Sequence, residues 1–218
     1  MPDYRAGQYL ALEVDVLDDG VQQRLLYSIA GCRGDEHHRW LQLFIEVKSP
    51  FTAALIKRLG DLAAKDESLS VTLPMGKAYL QTDLSLPHLL IASGSGISKI
   101  RCLTEEILNR RPDADISVYW SNKCVDDFYL ADEIRDWERR GKRLRFTPIL
   151  ASEAAGWSGR QGLIYQVIRN DLPDLSQYQT YLCGSPNMVF GTLDKLADDG
   201  LRTENCYSDV FEYASRGA

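Results

Sequence analysis

Leu86-Pro87-His88-Leu89-Leu90-Ile91-Ala92-Ser93-Gly94-Ser95-Gly96-Ile97-Ser98 is the stretch on which the fold turns. Leu89 to Ala92 is a short apolar run, as a buried parallel strand requires. It breaks into Gly-Ser-Gly and then into a helical period: Ile97, Ile100, Leu103, Thr104, Ile107 and Leu108. Gly94 and Gly96 lack a Cβ, so a phosphate can approach their main-chain N–H groups. The following helix aims the positive end of its dipole at the same point. Strand, glycine turn and helix start together form a plausible cradle for a nucleotide diphosphate. A tight structural turn would look the same, and the third glycine of the dinucleotide fingerprint is replaced by Lys99.

Working outward toward the C-terminus, strands and helices alternate. A helix is expected from Ile97 to about Arg110, a strand at Ile116–Trp120, and a helix from Asp126 to Arg139 closed by Gly141. A strand follows at Leu144–Leu150, then a loop over Ala151–Gly162 and a helix beginning at Leu163–Ile168. Tyr178–Cys183 reads as a strand, Asn187 to about Asp198 as a helix, and Cys206–Phe211 as a final strand. This is the βαβ pattern of a doubly wound parallel sheet, in which ligands lie beyond the carboxyl ends of the strands. Gly94-Ser95-Gly96 and Cys183-Gly184-Ser185-Pro186 both fall at such ends, which points to a nucleotide crevice.

Residues 1–86 read differently. Strands are expected around Ala6–Val14, Gln22–Ile29, Trp40–Val47 and Ser68–Leu73, with turns at Leu17-Asp18-Asp19-Gly20, at Ala30–Glu36 and at Pro74-Met75-Gly76. One helix, Pro50–Ala63, carries Ser49 as N-cap and Pro50 at its first position. Short strands with turns between them imply an antiparallel sheet or barrel.

Composition bounds the function. The chain has 218 residues, 44% hydrophobic and 26% charged, with a formal net charge of -6. The negative balance argues against nucleic acid as a partner. No run approaches the roughly 18 apolar residues of a membrane span. The first residues lack the apolar core of a signal peptide. Five scattered cysteines (Cys32, Cys102, Cys124, Cys183 and Cys206) without a Cys-x-x-Cys fit free thiols in a reducing, cytoplasmic setting, not a disulfide framework, zinc site or iron–sulfur cluster.

Several stretches, in order along nearly the whole chain, resemble the ferredoxin–NADP reductase superfamily, and within it the NAD(P)H–flavin reductase branch. They are Tyr4-Arg5-Ala6-Gly7-Gln8-Tyr9-Leu10, Leu26-Tyr27-Ser28-Ile29-Ala30, Pro74-Met75-Gly76-Lys77, Gly94-Ser95-Gly96-Ile97-Ser98, Gly156-Trp157-Ser158-Gly159-Arg160-Gln161-Gly162 and Tyr181-Leu182-Cys183-Gly184-Ser185-Pro186-Asn187-Met188. The resemblance implies an antiparallel flavin-binding β-barrel at residues 1–86, truncated by two N-terminal strands, followed by a doubly wound NAD(P)-binding α/β domain at 87–218. It implies an oxidoreductase passing hydride from NADH or NADPH to FMN, FAD or riboflavin. The alternatives are a reductase component serving a separate iron–sulfur or oxygenase protein, and a non-catalytic nucleotide-binding relative that has lost flavin.

The resemblance also assigns residues. Ser28 and Cys183 would flank the reacting rings, Ser28 beside the flavin and Cys183 as a polarizable wall near the nicotinamide. A solvent-facing strand serine and a buried structural cysteine are the alternatives. Tyr27 would stack on the flavin, with Ile29 and Gly76 beside it. Gly94, Ser95, Gly96, Ile97, Ser121, Arg160, Gly184, Pro186 and Met188 would serve the nucleotide. Arg160 could instead be a loop ion-pair partner, and Lys123 a surface lysine. Tyr207-Ser208-Asp209-Val210-Phe211 would border the nicotinamide pocket, although Asp209 and Glu212 read as ordinary surface acids; Thr52 could approach a flavin phosphate but reads as an ordinary first-turn threonine. The family's phosphate-binding arginine falls at Leu25. Arg24 is one residue early, on the opposite face of the strand, so the flavin is expected to be loosely held. His37, His38 and His88 match no motif.

Overall fold

The computed structural model describes residues 3–31, 40–152 and 156–216. The first half forms a three-stranded antiparallel sheet of β1 (Tyr9–Val14), β2 (Gln23–Ser28) and, after the helix α1 (Pro50–Ala64), β3 (Ser70–Met75). Strand order is β2-β1-β3, with Tyr9 opposite Ser28 and Leu10 opposite Tyr27. Alternation of apolar residues sends Leu10 and Leu12 into one cluster with Ile29. Val14 and Val16 pack against Leu55 and Leu62 of α1. Ser49 and Thr52 cap α1 reciprocally, each side chain bonded to the other's backbone N–H.

The second half comprises β4 (His88–Ser93), α2 (Ile97–Arg110), β5 (Asp115–Asn122), α3 (Ala131–Arg140), β6 (Arg143–Leu150), β7 (Arg160–Gln161), α4 (Ile164–Asp171), β8 (Gln179–Cys183), α5 (Pro186–Leu196), β9 (Cys206–Tyr207) and α6 (Val210–Tyr213). The six strands run parallel in the order β7-β6-β5-β4-β8-β9. β4 is buried on both faces. Leu90 and Ala92 face α2 and α3, among Ile100, Leu103, Trp120 and Trp137. Leu89 and Ile91 face α4 and α5, among Ile164, Ile168, Val189 and Leu193. This is the doubly wound sheet expected from the alternating pattern.

Four expected elements differ. Trp40–Val47 alternates like a strand but forms none. Its backbone is tied to the strand-end segment by Ala30 N–H donating to the Gln42 carbonyl at 2.9 Å, while Leu41 and Leu43 fill the cluster beside Ile29. The alternation serves packing, not a ladder. The helix expected from Asp126 begins only at Ala131. Before it come a 3-10 turn, Val125–Asp127, and non-helical backbone at Phe128, whose ring stacks on Trp157 and meets Trp120 edge-on. The strand expected at Cys206–Phe211 stops at Tyr207, and Val210–Tyr213 is helical. β3 continues through Pro74 to Met75, and the turn falls at Gly76, whose φ is +91°. The loops expected at Ala30–Glu36 and Ala151–Gly162, and Cys32, His37 and His38, lie wholly or partly outside the described residues.

The helix α2 joins the halves. Arg101 donates to the Ala30 carbonyl at 2.8 Å, and the Cys102 thiol to the Gly31 carbonyl at 2.9 Å. Tyr4 donates to the same Gly31 carbonyl at 3.2 Å. Ala6, Leu80 and Leu84, from the first half, complete the core around α2. The carboxyl edge of the large sheet is thereby held against the end of β2.

Candidate functional site

The carboxyl ends of β4 and β8 converge on two connected clefts. One, of about 260 Å³, is lined by Tyr9, Leu26, Tyr27, Ser28, Cys183, Gly184, Ser208, Asp209, Val210 and Tyr213. The other, of about 250 Å³, shares Leu26, Tyr27, Ser28, Cys183 and Gly184, and adds Phe44, Ser93, Ser95, Gly96, Ser98 and Ser185. Residues distant in sequence (Ser28 from the small sheet and Cys183 from the large one) therefore share a wall. Both residues line both clefts, and burial pushes the Cys183 thiol up to about 11. Cys183 is a neutral, polarizable surface here, not a nucleophile.

The expected glycine turn joins β4 to α2. Gly94 has φ +56° and its carbonyl accepts a 2.8 Å hydrogen bond from the Trp120 indole. Gly94–Gly96 forms a 3-10 turn leading directly into α2. Gly96 is needed for close approach: a Cβ there would collide with the Cys183 carbonyl group. At Gly184 a Cβ would collide with Met188. The Ser185 hydroxyl accepts from the Met188 N–H and caps α5, whose first residue is Pro186. Two helix N-termini thus open toward the cleft edge.

Not every expected site residue lines it. Ile29 and Ile97 are fully buried in the cores, so they can support but not touch a ligand. Ser121 is buried in β5. Arg160 pairs with Asp171 at 2.7 Å. Gly76 borders the site from behind, since a Cβ would lie 2.7 Å from the Tyr9 ring and 3.2 Å from the Asp209 carboxylate. Thr52 is consumed by its cap. Leu25 packs with Val14, Val16 and Leu55, and Arg24 turns to Glu13 at 2.7 Å.

Asp209 is not the surface acid its sequence context suggests. Its side chain is 15% exposed, lines the cleft, and pairs at 2.8 Å with Lys99, whose side chain is 0% exposed. Burial raises the Asp209 carboxyl, and the Lys99 ammonium opposes that rise. Lys99, which in sequence only spoils a glycine motif, is therefore a structural part of the site. The available signal was its position four residues before Leu103 and eight before Ile107, on the buried stripe of α2.

Among the described residues no His, Cys, Asp and Glu group could hold a metal ion, and no helix is long and apolar enough to cross a membrane.

Residues 90–193 match the family model of the oxidoreductase NAD-binding domain. A CDP-6-deoxy-L-threo-D-glycero-4-hexulose-3-dehydrase reductase of Yersinia pestis is 26% identical over 95% of this chain; the chain spans 60% of that relative's length. A probable flavin reductase of Aliivibrio fischeri is 26% identical over 95% of this chain and 86% of its own. The crystal structure of a cytochrome P450 reductase of Amycolatopsis superposes with a TM-score of 0.82 at 23% identity, covering 94% of this chain and 60% of that one.

Proposed function

We propose that this chain belongs to the ferredoxin–NADP reductase superfamily, in its flavin reductase branch, and is an NAD(P)H:flavin oxidoreductase. The flavin ring is assigned to residues 1–86 and the nicotinamide nucleotide to residues 87–218. The observation that carries the reading is the shared wall: Ser28 of the small sheet beside Cys183 of the large one, next to the Gly94–Gly96 turn.

The residues fit a flavin ring but not its phosphate. Tyr27, Ser28 and Leu26 offer an aromatic, a hydroxyl and an aliphatic surface at the cleft. At the phosphate end, Leu25 sits in an apolar cluster, Arg24 is engaged by Glu13, and Thr52 is closed into its cap. A flavin bound there supplies the hydride acceptor, at ring atom N5. Recognition by the ring alone admits riboflavin, FMN and FAD and holds each loosely. Ser28 orients the ring through its hydroxyl. Cys183 and Gly184 leave room for the nicotinamide, and the turn N–H groups with the α2 dipole take the pyrophosphate. Stacking two rings against apolar walls excludes water from the transfer.

A second reading is that electrons pass on to a separate acceptor protein. It is favoured by the apolar rim of the cleft, where Leu26 is 52% and Tyr213 64% exposed, and by the kind of protein the dehydrase reductase relative is.

The test is NADH and NADPH oxidation, followed by nicotinamide absorbance, with and without riboflavin, FMN or FAD. Flavin-stimulated oxidation, slowed about tenfold or more by Ser28→Ala, is expected. Folded protein that oxidises neither nucleotide with any flavin would overturn the proposal. Tight copurification of flavin and slow turnover of free flavin would instead favour the second reading.

A further inference from the structure

A further cavity lies behind the wall of the reacting cleft. It has about 440 Å³, more than either cleft. Lys77, just after β3, lines it together with Tyr207 and Ser208 at the end of β9 and Phe211 and Glu212 of α6. It shares Ser208 with the first cleft. The segment from Ser208 to Tyr213 therefore stands between the two: Asp209, Val210 and Tyr213 face the cleft, while Phe211 and Glu212 face the cavity.

The polar groups of this cavity carry both signs and are only partly used. The Lys77 N–H donates to Glu212 Oε1 at 2.7 Å, which fixes that carboxylate and leaves Oε2 without a hydrogen bond among the described residues. The Lys77 ammonium makes no ion pair among the described residues, and the Tyr207 hydroxyl no hydrogen bond. The Ser208 hydroxyl, buried, accepts from the Val210 N–H at 3.3 Å and keeps its own proton to donate. Two aromatic rings supply the apolar part. Tyr207 is stacked on the buried Tyr181 ring with centroids 5.0 Å apart, and the Tyr181 hydroxyl is itself held by the Gln81 N–H at 2.9 Å. Phe211 is 39% exposed. The carboxylate and the Tyr207 ring are thus ordered before any ligand arrives, which lowers the cost of binding.

We propose that this cavity is a second ligand site, separate from the reacting cleft, for a small zwitterion that carries an aromatic ring, of which an aromatic α-amino acid is the simplest. A lone anion would be drawn to Lys77 but opposed by Glu212, and a lone cation the reverse. A molecule with both charges satisfies both. Its ammonium pairs with the free oxygen of Glu212. Its carboxylate takes the Lys77 ammonium and a hydroxyl of Ser208 or Tyr207. Its ring lies against Tyr207 and Phe211. The site requires neither flavin nor nicotinamide and does not rest on the reductase reading.

The test is an NMR titration of the full chain with three probes: L-phenylalanine, 3-phenylpropionate, which lacks the ammonium, and phenethylamine, which lacks the carboxylate. L-Phenylalanine should bind with a dissociation constant of about 1 mM, and each of the other two about fivefold more weakly. Lys77→Gln should weaken L-phenylalanine and 3-phenylpropionate about fivefold and leave phenethylamine unchanged. Glu212→Gln keeps an oxygen for the Lys77 N–H; it should weaken L-phenylalanine and phenethylamine about fivefold and leave 3-phenylpropionate unchanged. Neither residue lines the reacting cleft, so a probe bound there would be indifferent to both substitutions. No saturable binding of L-phenylalanine below about 20 mM would overturn the proposal. So would a truncated probe that binds as tightly as L-phenylalanine, or an affinity for L-phenylalanine unchanged in either variant. Both side chains are exposed, so both variants should melt as the unsubstituted protein does. If one does not fold, the comparison of the three probes on the unsubstituted protein decides.

Discussion

A Cβ at Gly96 would lie 2.7 Å from the carbonyl carbon of Cys183 and closer still to its oxygen. Gly96 has an ordinary helical φ of -57°, so its requirement is one of space. Gly94, two residues earlier, has φ +56° and open space around it, so its requirement is conformational. Gly96→Ala should cost about 3 kcal/mol and abolish nucleotide binding. Gly94→Ala should cost about 1 kcal/mol and weaken binding less. Thermal melts with and without nucleotide distinguish the two; equal effects would contradict this division.

The apolar setting of Leu25 predicts indifference to the flavin tail. A charge-assisted contact to phosphate would contribute about 2 kcal/mol. In its absence FMN and riboflavin should bind within about threefold of one another, with little dependence on salt. Fluorescence titration of both flavins at two ionic strengths checks this. An FMN preference above about thirtyfold would require a phosphate cation among these residues.

His88 lies fully buried at the start of β4, and neither ring nitrogen has a hydrogen-bond partner among the described residues. Burial lowers it to about 4, with Arg111 also lowering it and Asp83 opposing. The folded value is below the unfolded one, so the unfolded chain takes up the proton first. Stability is therefore full above about pH 6.5 and falls as pH drops toward about 4. At pH 5 the loss should be about 2 kcal/mol. His88→Leu should flatten the acid limb of a denaturation series run from pH 7 to about 4.5. An unchanged limb would assign acid lability elsewhere.

Cysteine reactivity should divide by position. Cys183 is held up to about 11, so about one thiol in a thousand is ionised at pH 8. Cys124 is exposed. Peptide mapping after timed alkylation should find Cys124 modified first among the cysteines of the described residues and Cys183 slower by about a hundredfold. Comparable rates would mean that the cleft opens far more readily than its walls imply.

The large sheet was legible because β4 and β8 are continuous apolar runs and their helices keep a clear 3.6-residue period. The expected bounds of α2, 97 to 110, match those found. The aromatic run Phe128-Tyr129 misled because tertiary stacking on Trp120 and Trp157 outweighs helical periodicity. Trp40–Val47 misled because alternation reports which side chains are buried and says nothing of whether a backbone partner is at hand. Ser28, Cys183 and Gly184 were legible through short motifs. The pairing of Lys99 with Asp209 was not, because it is a contact across 110 positions of sequence. The ion-pair partner of Arg160, Asp171, lies at the end of α4, eleven positions on, beyond the reach of a loop motif.

The dual engagement of α2 has a consequence for how donor preference can drift. The same helix starts at the glycine turn and fastens Ala30 and Gly31 behind Ser28. On the proposed function, the reacting ends of both ligands would thus be referenced to one rigid rod, while β5 and β6 lie on the other side of β4 from β8. Substitutions in the loops after β5 and β6 can retune which nucleotide enters without altering the spacing at which the rings meet. Specificity and chemistry can then evolve as separable traits on a shared frame.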